Sequence, residues 1–171
     1  WGAGQENSIN RWPHYRQSIV PQEVFIEISA GDTHTCGIKT DGEVECWGDN
    51  YYGQSSPPNE TFINISVGNG SSHTCGIKTD GTVECWGDNQ YGQSTPPNES
   101  FIGISAGYYH TCGIKTDGSV QCWGYNNDGQ SSPPNGSFVD ISAGSTHTCG
   151  IKTDGSVQCW GIDDGGSYDK G

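Results

Sequence analysis

Phe25-Ile26-Glu27-Ile28 alternates large apolar with polar side chains, and Ile63-Asn64-Ile65, Ile102-Gly103-Ile104 and Val139-Asp140-Ile141 repeat the pattern. A period of two predicts strands with one packed face. A second pattern comes after each of them. Cys36-Gly37-Ile38-Lys39, the turn Thr40-Asp41-Gly42 and Glu43-Val44-Glu45-Cys46-Trp47 read as a hairpin. Two turns fit the letters, a two-residue Asp-Gly turn or a three-residue Thr-Asp-Gly loop with its Gly left-handed in a bulge. With three loop residues Lys39 faces Glu43 and Cys36 lies opposite Cys46; with two, Cys36 faces Trp47. The cysteines favour the three-residue loop. Between each hairpin and the next strand stand Gly-Gln and then Pro-Pro, which are turn and loop residues that leave no room for a helix. The fold class expected is all-β.

The patterns recur because the chain repeats. His-Thr-Cys-Gly-Ile-Lys-Thr-Asp-Gly-x-Val-x-Cys-Trp-Gly stands at 34–48, 73–87, 110–124 and 147–161. The first Cys of each copy falls at 36, 75, 112 and 149, giving periods of 39, 37 and 37. The longer first period comes from two extra residues in Val67-Gly68-Asn69-Gly70-Ser71-Ser72-His73. Such self-similarity defines repeat architectures. It divides the chain into units over 25–61, 62–100, 101–137 and 138–171, the last truncated, after a partial unit with a long loop over 1–24. So read, the chain begins and ends in mid-repeat.

Composition by itself points elsewhere. The 171 residues carry a formal charge of −13, lack Leu and Met, and hold only 26 Ile, Val and Phe, a profile usual for disorder. Against it stand 8 Cys and 18 aromatic residues. The repeat reconciles these counts, since small blades each need only a few Ile and Val, one Phe, one Trp and a disulfide. No apolar run approaches the length of a membrane span. Seven Lys and Arg against 20 acidic residues also exclude nucleic acid as an expected partner, because binding its backbone takes several cations acting together.

Opposed positions of a hairpin lie within the Cα range a disulfide tolerates. The pairing expected is Cys36–Cys46, Cys75–Cys85, Cys112–Cys122 and Cys149–Cys159. Structural zinc, the competing reading, uses close pairs such as C-x2-C, and the chain has none. A loop of about 11 residues restricts the unfolded chain by at most about 2.7 kcal/mol per bridge, and even half that matters to a small domain. Disulfides imply an oxidising compartment, hence an extracellular protein.

Asn-x-Ser/Thr occurs at Asn59, Asn98 and Asn135, each just after Pro-Pro, and again at Asn64 and Asn69. These are candidate N-glycosylation sites; the alternative is that Asn merely closes the Pro-Pro turn. Asn69 lies in the two-residue insertion. Asn64 falls within a strand between two Ile expected on the opposite face, and is usable only if its own face meets solvent.

The strings Ala-Gly-x-x-His-Thr-Cys-x-Ile-Lys-x-Asp-Gly-x-Val-x-Cys-Trp-Gly and Trp-Gly-Asp-Asn-x-Tyr-Gly-Gln resemble the repeats of the regulator of chromosome condensation family, over nearly all of 25–161. In its short, cysteine-containing repeats the chain looks most like the secreted branch of that family. The resemblance implies a β-propeller in which each repeat supplies an antiparallel blade and the His-Thr and Trp-Gly steps pack blade on blade. The family commonly closes at seven blades, whereas four hairpin blades plus a partial unit make an open or incomplete propeller, with terminal faces that need covering. The chain is then a fragment of a longer one, a subunit completed by other copies, or an open superhelix. The nuclear role of the family's best-known member, on a small GTPase and chromatin, is opposed by the disulfides, the sequons and the acidic charge. An inhibitor of β-lactamases among the short-repeat relatives implies that a propeller face can serve purely to bind protein.

Other residues admit chemistry but recur in register, as residues that serve a fold do. His34, His73, His110 and His147 could ring a channel as metal ligands. Asp49-Asn50, Asp88-Asn89 and Asn126-Asn127-Asp128 could offer oxygens to calcium, although Asx-rich turns usually bond their own backbone. No unique triad or acid pair stands out, so neither an enzyme nor a cofactor is expected. Tyr51, Tyr52, Tyr91, Tyr108, Tyr109 and Tyr125 vary between repeats and suit sugar stacking or protein contact. The function expected is a non-catalytic secreted glycoprotein module, a building block of an extracellular fibre or coat whose partners are other copies of itself or another extracellular protein. The alternative is a lectin or a protein inhibitor using the loop face.

Overall fold

The structure, a computed structural model, describes residues 21–70 and 72–162. Most of the partial unit, 1–20, and the tail, 163–171, lie outside the described residues. The strands are β1 Phe25–Ala30, β2 His34–Lys39, β3 Val44–Gly48, β4 Phe62–Val67, β5 His73–Lys78, β6 Val83–Gly87, β7 Phe101–Ala106, β8 His110–Lys115, β9 Val120–Gly124, β10 Phe138–Ala143, β11 His147–Lys152 and β12 Val157–Gly161. They form four three-stranded antiparallel sheets, ordered β1-β2-β3, β4-β5-β6, β7-β8-β9 and β10-β11-β12. Each blade is thus the hairpin with the preceding strand added to its edge. The sheets stand side by side as an open, propeller-like row.

The hairpin turn is the three-residue one. Lys39 N–H donates to Glu43 O at 2.8 Å, Gly42 N–H donates back to Lys39 O at 3.0 Å, and Gly42 has φ +87°, which a residue with a Cβ adopts at a cost. Above the turn Lys39 Nζ meets Glu43 Oε2 at 2.7 Å. Hydrogen-bonded and non-bonded pairs alternate outward from there, so Cys36 and Cys46 fall on a non-bonded pair, where side chains are closest. Their Cα atoms are 4.1 Å apart and the sulfurs are joined. The other three blades join Cys75–Cys85, Cys112–Cys122 and Cys149–Cys159 in the same way.

The first strand of each blade departs from simple alternation. The register between β4 and β5 slips between Phe62 and Asn64, and the other blades slip at the same place. One bulged residue flips the phase of the rest of the strand. Phe62, Ile65 and Val67 therefore share the packed face at 1%, 5% and 5% exposure, while Ile63 is 58% exposed. Ile63 and Ile65 do not share a face, contrary to the alternating pattern of the sequence.

The core lies between blades. Cys36, Ile38, Val44 and Cys46 of the first blade pack with Phe62, Ile65, Val67 and Trp86 of the second. The next interface groups Cys75, Ile77, Val83 and Cys85 with Phe101, Ile104 and Trp123, and the third groups Cys112, Ile114, Val120 and Cys122 with Ile141 and Trp160. Every disulfide but the last is thus a hydrophobic wall for the apolar residues of its successor. Phe and Trp within a blade also meet each other, as with Phe62 and Trp86 at 5.7 Å between centroids. The Phe ring lies on the strand beside it, and that explains the Gly after each first Cys: a Cβ at Gly76 would sit 2.5 Å from Phe62 Cδ1.

Candidate functional site

The polar residues that recur in each unit fasten blade to blade. Thr74 Oγ1 donates to Gln54 O at 3.1 Å, and Trp86 Nε1 donates to the same carbonyl at 2.9 Å. With its proton committed, Thr74 Oγ1 accepts from His34 Nε2–H at 2.8 Å. The group is rebuilt as His73–Thr111–Gln93 with Trp123, and as His110–Thr148–Gln130 with Trp160. The three histidines are fully buried, and burial holds the pKa of His34 and His110 down at about 4 and that of His73 at about 3. They are neutral pins between blades. A second fastening closes the inner strands: the hydroxyls of Ser29, Ser66 and Ser105 accept from the N–H groups of Val67, Ala106 and Ala143 at 2.9–3.0 Å. The serines suggest no chemistry of their own in the sequence, and their recurrence from unit to unit was the signal for them.

The calcium candidates of the first two repeats are consumed by their own loops. Asp49 takes Tyr51 N–H on Oδ1 and Gln54 Nε2 on Oδ2, while Asn50 Oδ1 takes Ser55 N–H. Among the described residues no three His, Cys, Asp or Glu side chains converge as metal ligands. No described helix is long and apolar enough to cross a membrane.

Among the sequons, Asn59, Asn98, Asn135 and Asn69 are exposed. The first three come after the Pro-Pro segments and lie beside the hairpin turns, since Phe62, Phe101 and Phe138 donate to Gly42, Gly81 and Gly118. Asn64 is different. Its Nδ2, the atom a glycan would occupy, donates to Glu27 Oε1 of the first blade at 3.1 Å. Asn64 is half-buried beside the neighbouring blade, where the other four sequons are exposed.

Among the described residues, two groups of exposed side chains stand apart from the blade interfaces. The first consists of the end faces. Ile28 is 60% exposed where its counterparts Ile65 and Ile141 are 5% and 9%. At the other end Ile151 and Val157 are 39% and 66% exposed, where Ile38 and Ile77 are 0%. His147, counterpart of the buried pins, is exposed as well.

The second is a rim of tyrosines at the end of the blades opposite the hairpin turns. Tyr91 meets Tyr109 at a tilt, with centroids 4.7 Å apart, and Tyr125 edge-on at 5.1 Å, and Tyr109 meets Tyr108 at 4.2 Å. A hydrogen bond to Tyr108 pushes the Tyr109 phenol up to about 12. These four rings, with Asp128, Gln130, Ser145 and Thr146, line a cavity of about 340 Å³. Tyr51 and Tyr52 pair apart from it, at 4.9 Å, and are exposed.

The regulator of chromosome condensation (RCC1) repeat matches residues 25–54, 62–93, 101–130 and 138–167. The chain belongs to the RCC1 repeat family. Among solved structures, the CRINKLY WD40 ectodomain of the Arabidopsis thaliana receptor kinase ACR4 is 33% identical, with a TM-score of 0.68 over 82% of this chain and 51% of that one. The ectodomain of the Physcomitrella patens receptor kinase CR4 is 27% identical, with a TM-score of 0.72 over 83% of this chain and 42% of that one. Prp20p from Saccharomyces cerevisiae is 17% identical at a TM-score of 0.72 over 83% and 46%, a likeness of fold alone. The chain spans about half the length of the structures it matches. No curated protein matches it. Within the RCC1 repeat, each family match begins at the Phe that opens a blade and takes in the His-Thr and Trp-Gly steps that join blades.

Proposed function

We propose that this chain is a secreted, N-glycosylated, non-catalytic repeat module that acts through protein contacts, as a building block of a larger extracellular assembly. The observation that carries the reading is the complementarity of the two end faces. The first blade turns outward the face, around Ile28, that later blades seat on a predecessor, and the fourth turns outward the face, around Ile151 and Val157, that earlier blades place under a successor. A face built three times as a buried interface is apolar by construction, and stacked repeats bury such faces only against neighbours. Head-to-tail contacts that do not close into a ring extend into filaments.

The extracellular setting rests on four intra-blade disulfides and agrees with the likeness to a receptor-kinase ectodomain. Exposure of Asn59, Asn98, Asn135 and Asn69 leaves room for glycans away from the blade interfaces. Sedimentation velocity over a wide range of concentration tests the assembly. The reading expects species growing beyond the dimer, and Val157→Asp, which puts a charge on one end face, should hold the protein as a monomer. A wild-type chain monomeric at every concentration would sink it.

A further inference from the structure

The third repeat breaks its own rule, and the break falls at the tyrosine rim. Where the first two units read Trp-Gly-Asp-Asn-x-Tyr-Gly-Gln, the third reads Trp123-Gly124-Tyr125-Asn126-Asn127-Asp128-Gly129-Gln130, so that the Asp and the Tyr have traded positions. In the first two units the Gln amide is satisfied at both ends. Gln54 Oε1 accepts from Tyr52 N–H at 2.8 Å while Nε2 donates to Asp49 Oδ2 at 2.8 Å, and Gln93 does the same with Tyr91 and Asp88. In the third, Asp128 N–H still donates to Gln130 Oε1 at 3.0 Å, which fixes the amide's orientation. The acceptor for its other end is gone, because Tyr125 stands where Asp49 and Asp88 stand. Gln130 is 0% exposed, and its Nε2 has no hydrogen-bond partner. Leaving a buried donor unmade is costly, and such a group calls for an explanation.

Gln130 also lines the cavity of Tyr91, Tyr108, Tyr109 and Tyr125, with its side chain fully buried behind them. The same substitution thus does two things: it adds a ring to the rim and frees an amide donor beneath it. About 340 Å³ lies at the small end of the range for small-molecule sites, about 300 to 1,000 Å³, which suits a compact ligand better than an extended chain. The orphan is a donor, so the ligand must present an oxygen acceptor; an ammonium or guanidinium held by the aromatic faces alone would leave Gln130 Nε2 facing another donor. The Asp128 carboxylate on the same lining asks in turn for a donor, which a proline-rich backbone lacks, while the hydroxyls of Ser145 and Thr146 can donate or accept. A sugar ring has the full set, with a C–H face to stack on tyrosine and hydroxyls that both donate and accept.

We propose that the cavity of Tyr91, Tyr108, Tyr109, Tyr125 and Gln130 is a carbohydrate site that takes one pyranose ring on the tyrosines, with a sugar oxygen completing Gln130 Nε2. It stands apart from the assembly reading, which uses the end faces and none of these side chains. The test is saturation-transfer NMR on the intact chain with methyl glycosides of glucose, galactose, mannose, fucose and N-acetylglucosamine. A glycan array in parallel separates a free sugar from a terminal residue of a longer glycan. At least one glycoside should receive saturation. Tyr125→Asp restores the acceptor of the first two repeats, so it should melt no lower than the wild type and yet bind at least tenfold more weakly. Tyr91→Ala, at a ring already 42% exposed, should weaken binding with the fold intact should Tyr125→Asp not fold. No transfer to any glycoside and no array signal would overturn the proposal. So would undiminished binding by the two variants, or a proline-rich peptide as the ligand with no sugar of the panel bound.

Discussion

Lowering the pH from 7.5 to 5.5 should strip this protein of much of its stability through three histidines alone. His34, His73 and His110 lie fully buried with Nε2–H given to Thr74, Thr111 and Thr148, and burial lowers their pKa values from 6.5 to about 4, 3 and 4. A base whose folded pKa is depressed binds its proton in the unfolded chain first. Its contribution is therefore complete above pH 6.5 and is lost as the pH falls toward the folded value. Between pH 7.5 and 5.5 each such group gives up about 1.3 kcal/mol, or about 4 kcal/mol for three, against a typical domain stability of about 5–15 kcal/mol. Asp80, Asp117 and Asp154, whose pKa values are lowered by hydrogen bonds from Thr82, Ser119 and Ser156, lose their share only below pH 3.8 and do not enter this window. The assay is urea denaturation followed by tryptophan fluorescence at pH 7.5, 6.5 and 5.5. The midpoint should fall little between the first two and steeply to the third, with His73→Gln removing about a third of the fall. A free energy of unfolding that is the same at pH 7.5 and 5.5 would refute the account of the histidines as neutral inter-blade pins.

The packing sets three further outcomes. Gly76→Ala places a Cβ 2.5 Å from the buried ring of Phe62, so it should destabilise by about 1–3 kcal/mol in denaturant titration. Thr111→Val keeps the shape but removes the hydroxyl between His73 and Gln93, stranding a buried donor, and should cost about 1–3 kcal/mol with no change in the far-ultraviolet spectrum. Glycosidase treatment of native material should lower the mass and convert Asn59, Asn98, Asn135 and Asn69 to Asp in peptide maps, while Asn64, bonded to Glu27, stays unmodified.

The hairpins were legible because two cysteines ten positions apart admit only one loop length when they face each other, and a recurrent Asp-Gly names the turn. The repeat itself was plain in the letters, and with it the family. The bulge after Phe62 was not. One residue slipped in a strand leaves the alternating letters unchanged while moving Ile63 to solvent and Ile65 inward. The site of the core was hidden for a related reason. A pattern of apolar positions says which face is packed but not against what, and here Cys36 packs on Phe62 and Trp86 of the next unit. The Gln carbonyls that collect Thr and Trp were invisible because a backbone group carries no letter. At the tyrosine rim the aromatics were legible singly. Their convergence, and the amide stranded by exchanging Asp for Tyr125, needed the first two repeats in three dimensions as a template.

The claim that end face meets end face is most directly tested by crosslinking. Val44 packs in the same cluster as Ile65 of the next blade, so Val157, its counterpart, should come beside Ile28 of another copy. Ile28→Cys and Val157→Cys proteins, mixed under mild oxidation, should yield a covalent dimer joined through the two new cysteines, and neither protein alone should form it. Absence of that dimer from the mixture, or its formation as readily by Ile28→Cys alone, would contradict head-to-tail packing of the blades.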